Sequence, residues 1–112
     1  MNIEASKESA AMVVTVTGRL DAVTFSGYEQ KINALIAEGE TKFVIDLEKL
    51  EYISSAGLRA LLATAKRIKA KSGQILLANI SGPVKEVFDL SGFGTIFQLY
   101  DSVESALEIV AG

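Results

Sequence analysis

Neither cysteine nor histidine occurs anywhere in the chain. Without cysteine there is no disulfide framework, no thiolate zinc site and no sulfur nucleophile, a composition that suits a reducing cytoplasm. Without histidine the commonest general base and the commonest metal ligand are both missing, and a Ser-His-Asp triad is excluded. A hydrolase would have to rely on a carboxylate or a lysine as base, within only 112 residues. The expectation is a protein that is not an enzyme and carries no cofactor or metal. An excess of positive charge is also lacking: eleven Lys and Arg stand against fourteen Asp and Glu, a net charge of −3. Direct nucleic-acid binding normally leaves a basic footprint, so none is expected. No apolar run approaches the ~18–20 residues that a membrane span needs. The first residues lack the basic-then-apolar form of a secretory signal. A cytoplasmic protein is therefore expected.

What is there is enough for a core. Apolar residues make up 49% of the chain, and residues 1–112 read as one domain. There is a single proline, Pro83, and no low-complexity tract or internal repeat. Residues 1–8 alternate weakly, with Ile3 and Ala5 on one face of an edge strand. From Ala11 to Leu20 the period is two: Met12, Val14 and Val16 point one way, Val13, Thr15 and Thr17 the other. A helix is predicted from about Thr24, a plausible N-cap, to Glu38, with Tyr28, Ile32, Leu35 and Ile36 in one stripe and Gly39 as its stop. Residues 43–47 form a short apolar run suited to a strand covered on both faces. After a short acidic loop, Ser54 and Ser55 open a second helix, whose buried stripe is Leu58, Leu61, Leu62, Ala65 and Ile68 and which Gly73 closes. A buried strand over 74–80, a short helix over 83–90 begun by proline, a last strand over 96–100 and a terminal helix over 102–110 capped by Ser102 complete the chain. Strands alternating with helices argue for an α/β layer structure. The expected sheet is mixed but mostly parallel, of about five strands with four helices, and only the first two strands pair antiparallel.

The stretch from Asp46 to Arg59 is the most unusual in the chain. A buried strand ends, a polar loop follows, and two serines and two small residues begin a helix. Small residues let another chain approach the backbone closely, and free amides with a partial positive charge make a helix start tolerant of a phosphate. Taken alone, the two serines read as helix capping, and Ala56 and Gly57 as packing residues. The wider pattern resembles the STAS domain, named for sulfate transporters and anti-sigma factor antagonists. The residues that carry the resemblance are Gly18-Arg19-Leu20-Asp21, then Asp46-Leu47, Tyr52-Ile53 and Ser54-Ser55-Ala56-Gly57-Leu58-Arg59, then Phe88-Asp89-Leu90-Ser91-Gly92-Phe93. They span essentially the whole chain and fall on the right elements in the right order.

The resemblance implies a STAS fold and a partner switch. In such families the unmodified antagonist binds an anti-sigma factor, often a serine kinase of the histidine-kinase-like ATPase fold. The kinase phosphorylates a serine at the start of the second helix, binding is lost, and a serine phosphatase resets the system. Carried over by position, Ser55 is the phosphoacceptor, with Ser54 as the alternative. Ser54 stands where most members have aspartate, Ala56 where some place the acceptor, and Arg59 where glycine is common. The partner surface implied is Asp21, Ser54, Ser55, Ala56, Gly57, Leu58 and Arg59. Asp21 reads equally well as a loop residue that caps the following helix. The other reading of the chain is a non-switching scaffold subunit, of a stress-signalling assembly or a lipid-transport ABC complex. The basic residues Arg59, Lys66, Arg67, Lys69 and Lys71 read as a solvated helix face that complements the dipole. Ser91-Gly92-Phe93-Gly94 lacks the lysine and the spacing of a phosphate loop. Asp46 has no ligand cluster around it in the sequence.

Overall fold

A computed structural model describes residues 1–111. Its elements in chain order are strand β1 (Asn2–Glu8), strand β2 (Ala11–Leu20), helix α1 (Phe25–Ala37), strand β3 (Lys42–Asp46), strand β4 (Leu50–Ile53), helix α2 (Ser55–Ala70), strand β5 (Gln74–Ala78), helix α3 (Gly82–Ser91), strand β6 (Leu99–Tyr100) and helix α4 (Val103–Ala111). The sheet runs β1-β2-β3-β5-β6, with β4 paired to β2. Only β1 and β2 are antiparallel, Asn2 opposite Thr17 through Glu8 opposite Ala11. The other pairings are parallel.

The chain steps from β2 to β3 to β5 to β6 without reversing, each step through one helix. Right-handed crossovers in one direction place all their helices on one face. The packing agrees. On one face Met12, Val14, Val16, Phe43, Ile45, Ile75 and Leu77 of the strands meet Tyr28 and Ile32 of α1, Leu61 and Ile68 of α2, and Val84 and Phe88 of α3. On the other face Ala11, Val13, Val44, Leu76 and Ala78 meet Ala106 and Val110 of α4. Alternating positions of β2 are thus divided between two cores, which is what its period of two requires. The same topology has a consequence for function. Open α/β sheets bind ligands in the crevice where the strand order reverses, and the order here does not reverse.

Four features depart from the sequence reading. The segment expected to be an acidic loop contains β4. Leu50 and Ile53 are buried while Glu51 and Tyr52 face solvent, so its burial has no period of two. It continues along β2 where β3 leaves off, with Gly18 opposite Leu50 and Leu20 opposite Ile53. The register shifts just after Gly18, whose φ of 97° suits a residue without a side chain. With β4, the mixed and mostly parallel sheet expected from the sequence comes to six strands among the described residues. The strand expected over 96–100 is confined to Leu99–Tyr100, because Phe93–Thr95 form a 3-10 turn. Phe97 is buried there, its ring 6.3 Å from that of Phe88 and 6.1 Å from that of Phe93. The strand expected over 74–80 stops at Ala78, where Asn79 takes φ 64°. Thr24 occupies the N-cap of α1, but its hydroxyl caps nothing; it donates instead to the carbonyl of Arg19 at 2.8 Å.

One polar pair lies inside the core. The Tyr28 hydroxyl on α1 and the Thr64 hydroxyl on α2 are 2.8 Å apart, and neither residue is exposed. Burial pushes the Tyr28 phenol well above its ordinary range, so it stays neutral. The Thr64 hydroxyl also donates to the carbonyls of Ala60 and Leu61, each at 3.0 Å. Tyr28→Phe leaves Thr64 satisfied and is expected to cost about 0.5–1.5 kcal/mol. Thr64→Val orphans the buried Tyr28 hydroxyl and is expected to cost more, about 1–3 kcal/mol. Urea unfolding of both variants checks the order; equal losses would show that the hydrogen bond does not lock α1 to α2.

Candidate functional site

The segments singled out in the sequence meet at the end of the sheet where β2 and β4 finish. Leu20 and Ile53 are opposite one another in the last pairing of these strands. The chain turns from Ile53 straight into α2, and the Ser54 amide donates to the Leu20 carbonyl at 3.0 Å. The next close contact is Gly57. A Cβ there would stand 2.3 Å from the Leu20 carbonyl oxygen and 2.8 Å from a side-chain carbon of Ile53. The first turn of α2 rests directly on the backbone of β2, and only glycine permits it. Gly57 and Leu58 are buried under the turn they belong to. Ala56 is half-buried, and Ser55 and Arg59 are exposed.

The two serines have different circumstances. Ser54 is the N-cap, with extended backbone at φ −98° and ψ 176°, and its hydroxyl accepts from the Gly57 amide at 3.3 Å. Its carbonyl accepts from the Leu58 amide at 2.9 Å. Ser55 is the first residue of α2. Among the described residues its hydroxyl has no hydrogen-bond partner, and it faces solvent. No acidic residue stands in the first turn of α2, whereas Arg67 and Lys69 stand in its last. The helix dipole is therefore complemented at the C-terminus and left open to an anion at the N-terminus.

Asp21 borders this turn from the end of β2. Its Oδ1 accepts from the amides of Val23 at 3.0 Å and Thr24 at 3.2 Å. Its Oδ2 accepts from Arg19 Nε at 3.3 Å. The amide of Val23 above all, then those of Thr24 and the Arg19 guanidinium, hold the carboxyl below its ordinary value against a partial desolvation that opposes them. The loop role weighed for Asp21 is therefore visible: it organises the turn into α1. Arg19 lies over the ring of Tyr52, its guanidinium carbon 4.2 Å from the centroid. Sequence reasoning did not find this stack, since Arg19 and Tyr52 are far apart in the chain and belong to no common periodicity. They become neighbours only because β4 pairs in parallel with the end of β2.

Between the starts of α1 and α2 lies an open groove of about 340 Å³, lined by Ala22, Phe25, Glu29, Ala56, Arg59 and Ala60 among others. Asp46, at the end of β3, accepts from the Glu48 amide at 3.1 Å and the Asn79 side chain at 2.9 Å. It shapes the turn into β4. No group of three or more acidic side chains able to hold a metal ion occurs among the described residues. No helix among them is long and apolar enough to cross a membrane. The arrangement offers an open groove and, at the first turn of α2, the exposed Ser55 hydroxyl.

Ser54→Ala removes a cap and is expected to destabilise the fold by about 1 kcal/mol. Ser55→Ala removes no contact and is expected to stay within about ±0.5 kcal/mol of wild type. Denaturant titration of the two variants separates cap from free hydroxyl; a larger loss for Ser55→Ala would reverse the assignment. Asp21→Asn keeps an oxygen for the two amides but loses the charge. The folded carboxyl of Asp21 is more acidic than an unfolded one, so its contribution is present above about pH 3.9, the unfolded value. That contribution is lost as pH falls through the lower folded value. The stability gap between wild type and Asp21→Asn should therefore be full at neutral pH and close as pH drops below about 4. Thermal melts across that range check it, and a gap independent of pH contradicts a stabilising role for the carboxylate charge held by the Val23 and Thr24 amides and Arg19.

Comparison with known proteins follows the same lines. The STAS domain family matches residues 2–106. BtrV of Bordetella bronchiseptica, whose name places it provisionally among the anti-sigma factor antagonists, is 34% identical over 106 residues, 95% of this chain and 91% of that protein. The anti-sigma-F factor antagonist RsfB of Mycobacterium tuberculosis is 26% identical over 114 residues, 100% of this chain and 91% of that protein. A crystal structure of an anti-sigma factor antagonist from Mycobacterium paratuberculosis superposes with a TM-score of 0.85 at 30% identity, over 99% of this chain and 94% of that one. With this match along nearly its whole length, the chain belongs to the STAS domain family.

Proposed function

We propose that this chain is an anti-sigma factor antagonist that works as a single-domain, cytoplasmic, non-enzymatic partner switch. Unmodified, it binds an anti-sigma factor, of the kind that is also a serine kinase with the histidine-kinase-like ATPase fold. The binding surface is the sheet end formed by Asp21 and the segment from Ser54 to Arg59. The kinase phosphorylates Ser55 and the complex dissociates; a serine phosphatase restores the unmodified form. The names borne by BtrV and RsfB support the antagonist role. The observation that carries the choice of acceptor is the contrast between the serines: Ser54 is engaged as a helix cap, whereas Ser55 is exposed and unengaged among the described residues.

The physics of release is that of an added charge on a contact surface. A phosphate brings about −1.5 to −2 charges and must keep its hydration or find donors. Docked against a partner, it would cost both steric room and desolvation. It would not cost the fold, because an anion at the first position of α2 meets the positive end of the helix dipole, worth about 0.3–1 kcal/mol in its favour. The switch thus acts on the surface and leaves the structure beneath it alone.

Incubating the purified chain with ATP and lysate of its native host, then measuring intact mass and mapping the modified residue, tests the reading. One phosphate on Ser55 is expected, retained in Ser54→Ala and absent from Ser55→Ala. Ser55→Glu is expected to melt no lower than wild type while losing the kinase in pull-down. A phosphate on Ser54, or none in a lysate that modifies a known antagonist, would overturn it; the second result would favour a constitutive scaffold.

A further inference from the structure

We propose that Arg59 is the intramolecular partner of a phosphate carried on Ser55, so that modification adds an anion to the binding surface and at the same time withdraws a cation from it. The physiological use of this pairing rests on the phosphorylation of Ser55 proposed above.

Ser55 and Arg59 lie four residues apart in α2. Residues at that spacing are neighbours on a helix surface, with Cβ atoms roughly 5–6 Å apart. Helical side chains lean toward the N-terminus, so the long Arg59 side chain extends back over the turn that carries Ser55. Both residues are exposed. The order is the favourable one, with the acid N-terminal to the base. Among the described residues Arg59 makes no ion pair, whereas Arg19 and Arg67 do. Arg19 pairs with Asp21 and stacks on Tyr52. Glu29, which shares the groove with Arg59, faces Arg67 at 4.0 Å. The remaining basic residues of α2 begin at Lys66, about two further turns along the helix.

A phosphoserine offers three acceptor oxygens, and the planar guanidinium fork matches two of them at once. No acid in the first turn of α2 competes for Arg59. In the unmodified chain Arg59, unpaired among the described residues, is a cation on the rim of the groove, open to an acidic group on a partner. Once Ser55 is phosphorylated, Arg59 is tied to its own helix. The change a partner meets is then larger than the charge of the phosphate alone.

The test installs phosphoserine at position 55 by genetic-code expansion, so that no kinase is needed. The second ionisation of the phosphate is followed by phosphorus NMR against pH in the chain with Arg59 intact, in R59K and in R59Q. A cation beside the phosphate favours its dianion. The phosphate should therefore titrate at lower pH with Arg59 than in R59Q, by about 0.15–0.4 unit at low ionic strength. R59K should fall between them, and the difference should shrink in high salt. The Arg59 Nε–H resonance should move with the same titration. Equal titration in the Arg59 chain and R59Q, or an Arg59 resonance indifferent to the phosphate, would overturn the pairing. The outcome does not depend on a host kinase: an unmodified Ser55 in lysate would defeat the proposed function and leave this result standing.

Discussion

The first turn of α2 can sit on the end of β2 only because position 57 has no side chain, and the geometry of the candidate site depends on that contact. The Leu20 carbonyl receives the Ser54 amide from one side and would lie 2.3 Å from a Cβ at Gly57 on the other. A side chain there would push the helix start away from the strand. Ser54 would lose its place as cap, and Ser55, the next residue, would move with it. A contact between backbone atoms, rather than a set of polar side chains, therefore holds the candidate acceptor in position.

The topology explains why the site is a surface. Crossovers that step in one direction leave no reversal in strand order, and without a reversal the ends of the strands do not open into a ligand crevice. The face bearing α1, α2 and α3 is filled by their side chains, and the opposite face is covered by α4. The strand ends nearest α2 carry short, well-braced turns: Asp21 holds the amides of Val23 and Thr24, and Asp46 holds that of Glu48 and the side chain of Asn79. Such a frame presents the candidate site as a braced patch at the strand ends.

Periodicity makes the main elements legible in the sequence. The alternation from Met12 to Val16 sorts correctly between the two cores, and the stripe of Tyr28, Ile32 and Leu35 finds its core. The elements that escape the sequence share one cause. β4 has four residues and pairs only with the end of β2, so neither length nor alternation announces it. Phe97 resembles a strand residue because apolar and polar residues alternate over Phe97, Gln98 and Leu99 after Ile96, but its burial against Phe88 and Phe93 is reached through a 3-10 turn. The Arg19–Tyr52 stack depends on β4 and is hidden with it. For the candidate site, Ser54 and Ser55 stand out in the sequence as a pair, but nothing there separates them. Their difference is one position along the helix, which decides whether a hydroxyl turns inward to Gly57 or outward to solvent.

That single position also decides what a phosphate can do. On Ser54 it would displace a cap whose oxygen already serves the Gly57 amide, trading one helix-terminal bond for another and disturbing the contact with Leu20 beneath. On Ser55 it would disturb nothing that the fold uses. The open positive end of α2 would offset part of the added charge, and an i,i+4 arginine stands one turn away. With the proposed acceptor one residue inside the cap, the cap would keep the helix anchored to β2 with or without the phosphate, and the added charge would be confined to the surface.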